Sequence, residues 1–248
     1  MNTKRIGELE RSIRRYQASY YDGEAEITDA EFDALWDELL SLDPDNPVLK
    51  KVGADSSDGF AKAPHLIPMG SQEKAADPEA FAVWAAKQDF DEFLVEYKLD
   101  GASLELQYEK GVFTRAVTRG DGAVGDDITR NALKMQGVVL KLTDSESSVP
   151  LPLTGGVRGE VIMTHVVHDE HFPDKANCRN AANGLMKRKD GSGSEYLKVI
   201  CYDAFFTEGD VPFADEAEKL RWISEQGFIT VPLEICTGAQ AVVDYRAH

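Results

Sequence analysis

The chain runs to 248 residues with 42% hydrophobic content, enough for one large or two modest domains with a real core and unlike a disordered or fibrous chain. Its net charge of −17 is the wrong sign for a protein that grips nucleic acid unaided, because backbone binding rests on Lys and Arg displacing counterions; any such contact must be local or made by other segments. No run approaches a membrane span, the N-terminus MNTKRIGELERS lacks an apolar signal core, and the widely spaced Cys178, Cys201 and Cys236 suit neither a disulfide framework nor a CxxC-type zinc site, so the expectation is a cytoplasmic protein with buried thiols.

Ile6, Leu9, Ile13, Tyr16 and Tyr20 recur at three- and four-residue intervals and predict an amphipathic first helix. Its other face carries Arg5, Arg11, Arg14 and Arg15, which read as a solvated face or as a DNA contact. A second helix is expected from Thr28, with Glu31 completing a capping box, through Phe32, Leu35, Trp36, Leu39 and Leu42 to a stop at Asp43-Pro44. Asp29 and Asp33 share a face of it with Phe32 beside them. An aromatic surface flanked by two carboxylates suits a cationic ring, and an acidic face beside a core aromatic accounts for the same residues. Pro, Gly, Asp and Ser crowd Pro44 to Pro64, a linker that divides the chain into a helical domain over 1–62 and a second domain over 63–248.

Phe93, Val95 and Tyr97 alternate with Leu94, Glu96 and Lys98, predicting a strand with Glu96 and Lys98 on one face, roughly 7 Å apart. Asp100 and Gly101 then turn the chain. Ala102 to Tyr108 alternates again, Glu109 to Gly111 reads as a turn and Val112 to Arg119 as a third strand, giving an antiparallel meander with Lys98 on its first strand and Arg119 on its third. A lysine used as a nucleophile must first lose its proton, which from a pKa of about 10.4 costs about 4 kcal/mol at a pH of about 7.5. Burial beside a cation lowers that cost, and a divalent metal with substrate phosphates supplies the positive field. Lys-Leu-Asp-Gly alone is nonetheless a common strand–turn sequence. Gly120, Gly122 and Gly125 among Asp121, Asp126 and Asp127 fit a phosphate-cradling loop or plain turn geometry, and a helix is expected over Ile128 to Met135, capped by Asp126 or Asp127.

Taken together, Glu96 with KLDG, then TRGDG and GDDIT about twenty residues on, GGVRGEV at Gly155 to Val161, CRNAANG at Cys178 to Gly184 and KVICYDAFF at Lys198 to Phe206 resemble the adenylation domain of NAD-dependent DNA ligases in the family's own order. YYDGEAEITDAEFD at Tyr20 to Asp33 resembles the motif of that family that binds the nicotinamide mononucleotide (NMN) half of NAD. The resemblance implies an α+β protein: a small helical N-terminal domain, then a nucleotidyltransferase domain of antiparallel sheets with flanking helices, of the DNA ligase and mRNA capping enzyme type, incomplete at its C-terminus.

It also implies roles. Lys98 attacks the AMP phosphorus of NAD, releases NMN and holds AMP as a phosphoamide, ahead of AMP transfer to a nick 5′-phosphate, with Mg2+ as the accompanying metal and no metal-ligating residue assigned. Tyr20, Tyr21, Asp29, Phe32 and Asp33 hold the NMN half. Ser71, Gln72, Glu96 and Tyr202 surround the adenine, Arg119 and Glu160 the ribose and its surroundings, and Asp100 and Gly101 shape the turn. Arg179 and Lys187, eight apart, match two family arginines that recognise phosphate in nicked double-stranded DNA; a lysine at the second keeps the charge and loses the bidentate fork. Tyr21 stands where the family usually has histidine, Phe32 where it has tyrosine and Gln72 where it has leucine, which puts hydrogen bonds from the first two in doubt.

The resemblance stops at DYRAH, before the family's IDGVVIK-like strand and WKFP-like segment, so full ligation is expected to need missing segments or a second ligase subunit, which also make most of the DNA contact. Two alternatives stay open. One is a module that binds NAD or NMN without ligase activity; the other is an ATP-dependent nucleotidyltransferase relative, which shares Lys-x-Asp-Gly and has no reason to keep Tyr20, Asp29, Phe32 and Asp33.

Overall fold

The computed structural model describes residues 2–21, 26–27, 29–44, 46–50, 59–70, 74–75, 77–144 and 149–246, without the side chains of residues 2, 3, 17, 18, 20, 21, 29, 30, 33 and 50. Thr28, Ser71 and Gln72 therefore lie outside the described residues, as do the side chains of Tyr20, Tyr21, Asp29 and Asp33.

Helix α1 (Asn2–Tyr21) and helix α2 (Asp29–Leu42) pack on each other, and the short α3 (Pro47–Lys50) closes their end. The three- and four-residue spacing puts Leu9, Ile13 and Leu39 at 1% exposure or less, with Val48 beneath them, in a core separate from that of the rest of the chain. Phe32 packs on that core at its edge, its ring centroid 6.0 Å from that of Trp36. The α1 arginines stand on the solvent side, where Arg5 pairs with Glu38 and Arg15 with Glu26.

Beyond residue 59 the elements follow as β1 (Lys62–Pro64), α4 (Pro78–Ala85), β2 (Glu92–Glu96), β3 (Ala102–Glu109), β4 (Val112–Thr118), β5 (Val124–Asp126), α5 (Thr129–Ala132), β6 (Thr154–Ile162), α6 (His165–His171), α7 (Cys178–Met186), β7 (Lys198–Glu208), α8 (Glu216–Glu225), β8 (Leu233–Thr237) and α9 (Ala239–Arg246). The main sheet is antiparallel in the order β4-β3-β6-β7. Alternation along β3 sends Leu104, Leu106 and Tyr108 into the main core and turns Ser103, Glu105 and Gln107 to the other face. Helix α7 packs on β3 and β6, α8 on β7 and α5 on β4. Asn177 starts α7 by accepting the Asn180 N–H at 2.8 Å, as an N-cap does.

The expected meander is half correct. β3 and β4 form its hairpin, but β2 does not pair with β3: it pairs with β8, Glu96 opposite Leu233, in a separate two-stranded sheet, and the place beside β3 belongs to β6. The strand also ends at Glu96, so Lys98 lies just past it in a non-strand stretch over 97–101. Gly101 fits this path: a Cβ there would meet the Val161 carbonyl oxygen of β6 at 2.2 Å, so only a glycine lets the chain enter β3 this close to β6. The helix expected over 128–135 shortens to Thr129–Ala132 with Ile128 at its N-cap, although Asp127 still accepts the Thr129 N–H at 3.1 Å. The glycine-rich stretch is a turn: Asp121 accepts the N–H groups of Ala123 and Val124 at 2.9 and 2.8 Å, and a Cβ on Gly125 would lie 1.7 Å from the Thr118 oxygen.

Candidate functional site

Four chain segments converge on one cleft: the entry to β3 (Gly101, Ser103), the exit of β4 (Arg119), β6 (Glu160) and α7 with its C-cap (Arg179, Lys187). The register that sets Ser103 opposite Glu160 lets the Ser103 hydroxyl donate to Glu160 Oε2 at 2.9 Å. Burial raises the Glu160 pKa above the usual carboxylate range, and Ser103, Arg179, Lys98 and the Gly101 N–H only partly offset it. Tyr202 on β7 reaches the same Ser103. Burial first, then the Glu160 charge, push its phenol up to about 12, so it stays protonated at neutral pH.

Lys98 is exposed, with the Glu160 carboxyl as a charged neighbour. The adjoining Asp100 accepts from Arg179 Nη1 at 2.9 Å, which ties the lysine-bearing stretch to the start of α7. On the far rim Asp126, at 2% exposure, lies 2.9 Å from Lys62 Nζ and 3.7 Å from Lys187 Nζ. Arg119 donates from Nη2 to the Gly70 carbonyl at 3.2 Å, while its own carbonyl oxygen lies 3.0 Å from His65 Nε2. Arg119, Arg179 and Lys187 thus line one cleft with the part-buried Glu160, an arrangement suited to a ligand with phosphate groups and one hydroxyl-rich part.

Gly101, Arg119, Glu160, Arg179 and Lys187 come together in one cleft, with Lys98 and Asp100 adjoining and Tyr202 joined through Ser103. Glu96 keeps different company. Burial raises its pKa too, and its neighbours are Lys219, Glu216 and Asp203, where Lys219 Nζ lies 2.7 Å from Asp203. Sequence reasoning missed Ser103 and Lys62 as site neighbours; alternation along β3 was the only signal for the first, and nothing in the local sequence signalled the second. Among the described residues no group of three or more His, Cys, Asp or Glu side chains could hold a metal ion.

Residues 57–248 match the family described as NAD-dependent DNA ligase adenylation domain, and residues 1–56 match the DNA ligase-like, N-terminal NAD+-binding domain. The chain belongs to the NAD-dependent DNA ligase family. Among its relatives, a protein named DNA ligase from Treponema denticola is 54% identical over 99% of this chain and 39% of its own length. Another from Treponema pallidum is 52% identical over 99% of this chain and 31% of its own, and one from Sorangium cellulosum is 36% identical over 91% and 36%. The chain spans between 31% and 39% of the length of these relatives.

Proposed function

We propose that this chain carries the adenylation step of NAD-dependent DNA ligation. Neutral Lys98 Nζ attacks the phosphorus of the AMP half of NAD. A P–N bond forms, the P–O bond to the NMN phosphate breaks, the nucleophile's proton departs and AMP remains on the lysine as a phosphoamide. Arg119 and Arg179 offset charge on the phosphates, Glu160 accepts from the ribose, Gly101 and Asp100 hold the approach, and Tyr202, Glu96, Ser71 and Gln72 surround the base. The helical unit over 1–62, through Tyr20, Tyr21, Asp29, Phe32 and Asp33, takes the NMN half. The unit over 63–248 takes the AMP half.

The observation that carries this reading is a cleft rimmed by Arg119, Arg179 and Lys187 in which the part-buried Glu160 accepts from Ser103, with Lys98 adjoining as a charged neighbour of that carboxyl. The next step, AMP transfer to a nick 5′-phosphate, would use Arg179 and Lys187 on the DNA side. We place complete sealing in the cytoplasm and assign it to the longer chain typical of the relatives, or to this chain with a second subunit. Among the described residues no helix is long and apolar enough to cross a membrane.

The test is intact-mass measurement after incubation with NAD or with ATP, each with magnesium. One AMP added from NAD alone, and lost in Lys98→Ala, is the expected result. Addition from ATP would favour the ATP-dependent relative, and NAD binding without addition would favour a plain binding module.

A further inference from the structure

On the face of β3 that carries Ser103, the next inward position is Glu105, fully buried and outside the cleft lining. Its Oε2 accepts from Arg158 Nε at 3.1 Å and Nη2 at 3.0 Å, and its Oε1 accepts from Gln107 Nε2 at 2.9 Å and from the Leu66 N–H at 3.2 Å. His65 Nδ1 lies 3.3 Å from the same Oε1, within ion-pair reach though outside hydrogen-bond geometry. Arg158 stacks on Phe205, 4.6 Å from the ring centroid, and donates onward from Nη2 to the Ile67 carbonyl and at 3.5 Å to that of Pro68. Gln107 donates to the Pro64 carbonyl at 2.9 Å, while His65 N and Met69 N donate to the carbonyls of Ala123 and Gly122 at 2.9 and 2.7 Å.

Every residue from Pro64 to Gly70 is therefore bonded to the sheet or the β4–β5 turn, although 65–70 form no strand. Burying a carboxylate with a guanidinium is a poor source of stability, since apolar residues of the same volume often serve as well. What it supplies is direction: a fork that grips Glu105 on one side and main-chain carbonyls of one segment on the other. That segment clasps Arg119 twice, through His65 at its carbonyl and through Gly70 at its guanidinium.

We propose that Arg158, anchored on Glu105, is a positioning residue for Arg119: it fixes the 64–70 segment, and the segment fixes the cation presented to the nucleotide. This rests on the reading above that Arg119 contacts NAD.

The experiment is calorimetric titration of NAD into the 248-residue chain in a Lys98→Ala background, where no chemistry consumes the ligand. Arg158→Lys keeps the charge beside Glu105 and loses the fork. It is expected to weaken NAD binding about tenfold, the size of a charged hydrogen bond lost, as is Arg119→Ala. Because Arg158 acts through Arg119, adding Arg158→Lys to Arg119→Ala should weaken binding no further. Glu105→Gln, compared in the same cycle, should behave as Arg158→Lys does. Additive losses, or binding indifferent to Arg158→Lys and Glu105→Gln, would overturn the positioning role while leaving the functional reading intact. No NAD binding by the chain before these substitutions would overturn both.

Discussion

Glu160 and Glu105 stand on neighbouring strands of one sheet, and their surroundings push their ionisation in opposite directions. For Glu160 burial outweighs its hydrogen bonds and nearby cations, and the folded pKa rises above 4.5. For Glu105 burial is outweighed by His65, Gln107 and the Leu66 N–H, and the folded pKa falls below 4.5. A raised carboxyl contributes stability that is present below the unfolded pKa and lost as pH climbs through the folded one; a depressed carboxyl contributes stability present above the unfolded pKa and lost as pH falls through the folded one. Melting curves from about pH 3 to about pH 7 should therefore separate the two. The melting temperature of Glu160→Gln, relative to the unsubstituted chain, should become more favourable as pH rises through and above the carboxylate range, and that of Glu105→Gln less favourable over the acid side of that range. The same sign for both would contradict the environments described. At this scale dense motifs make a residue legible: Lys98, Arg119, Glu160 and Arg179 each sit inside one, and the fold brings these four near one cleft. The neighbours of Glu96 at the end of β2, Lys219, Glu216 and Asp203, come from distant chain segments that local alternation does not reveal.

At the scale of elements, the first two helices were legible, while the helices of the second unit other than α5 and the strand partnerships were not. The apolar spacing of α1 and α2 is written in consecutive residues, so local periodicity suffices. The pairing of β2 with β8 joins residues 93 and 236, and alternation in one strand carries no information about which distant strand completes it. The same limit hid β6 as the neighbour of β3. The junction that results is tight at Gly101, where a Cβ would fall 2.2 Å from the Val161 oxygen and 2.9 Å from Glu160 Cγ. Gly101→Ala should thus force the Lys98 stretch away from β6, costing on the order of 1–3 kcal/mol in denaturant unfolding and most of the AMP addition from NAD. An alanine accepted with full stability and full labelling would mean that the β3 entry has room the structure does not give it.

At the scale of the molecule, two cores are built from two stretches of chain, one around Ile13 and Leu39 and one around the four-stranded sheet. The net charge of −17 coexists with a cleft lined by Arg119, Arg179 and Lys187, so any attraction for a nucleic acid is local. Lys187→Ala should reduce the salt dependence of binding to nicked duplex DNA by about one counterion in the slope of log affinity against log salt. An unchanged slope would place the phosphate contact elsewhere. Everything turns, however, on which atom carries the AMP. Peptide mapping by tandem mass spectrometry after incubation with NAD should find AMP on the peptide that spans Val95 to Leu104, attached at Lys98; AMP attached instead to Lys187, Lys219 or any other residue would contradict the assignment of this cleft.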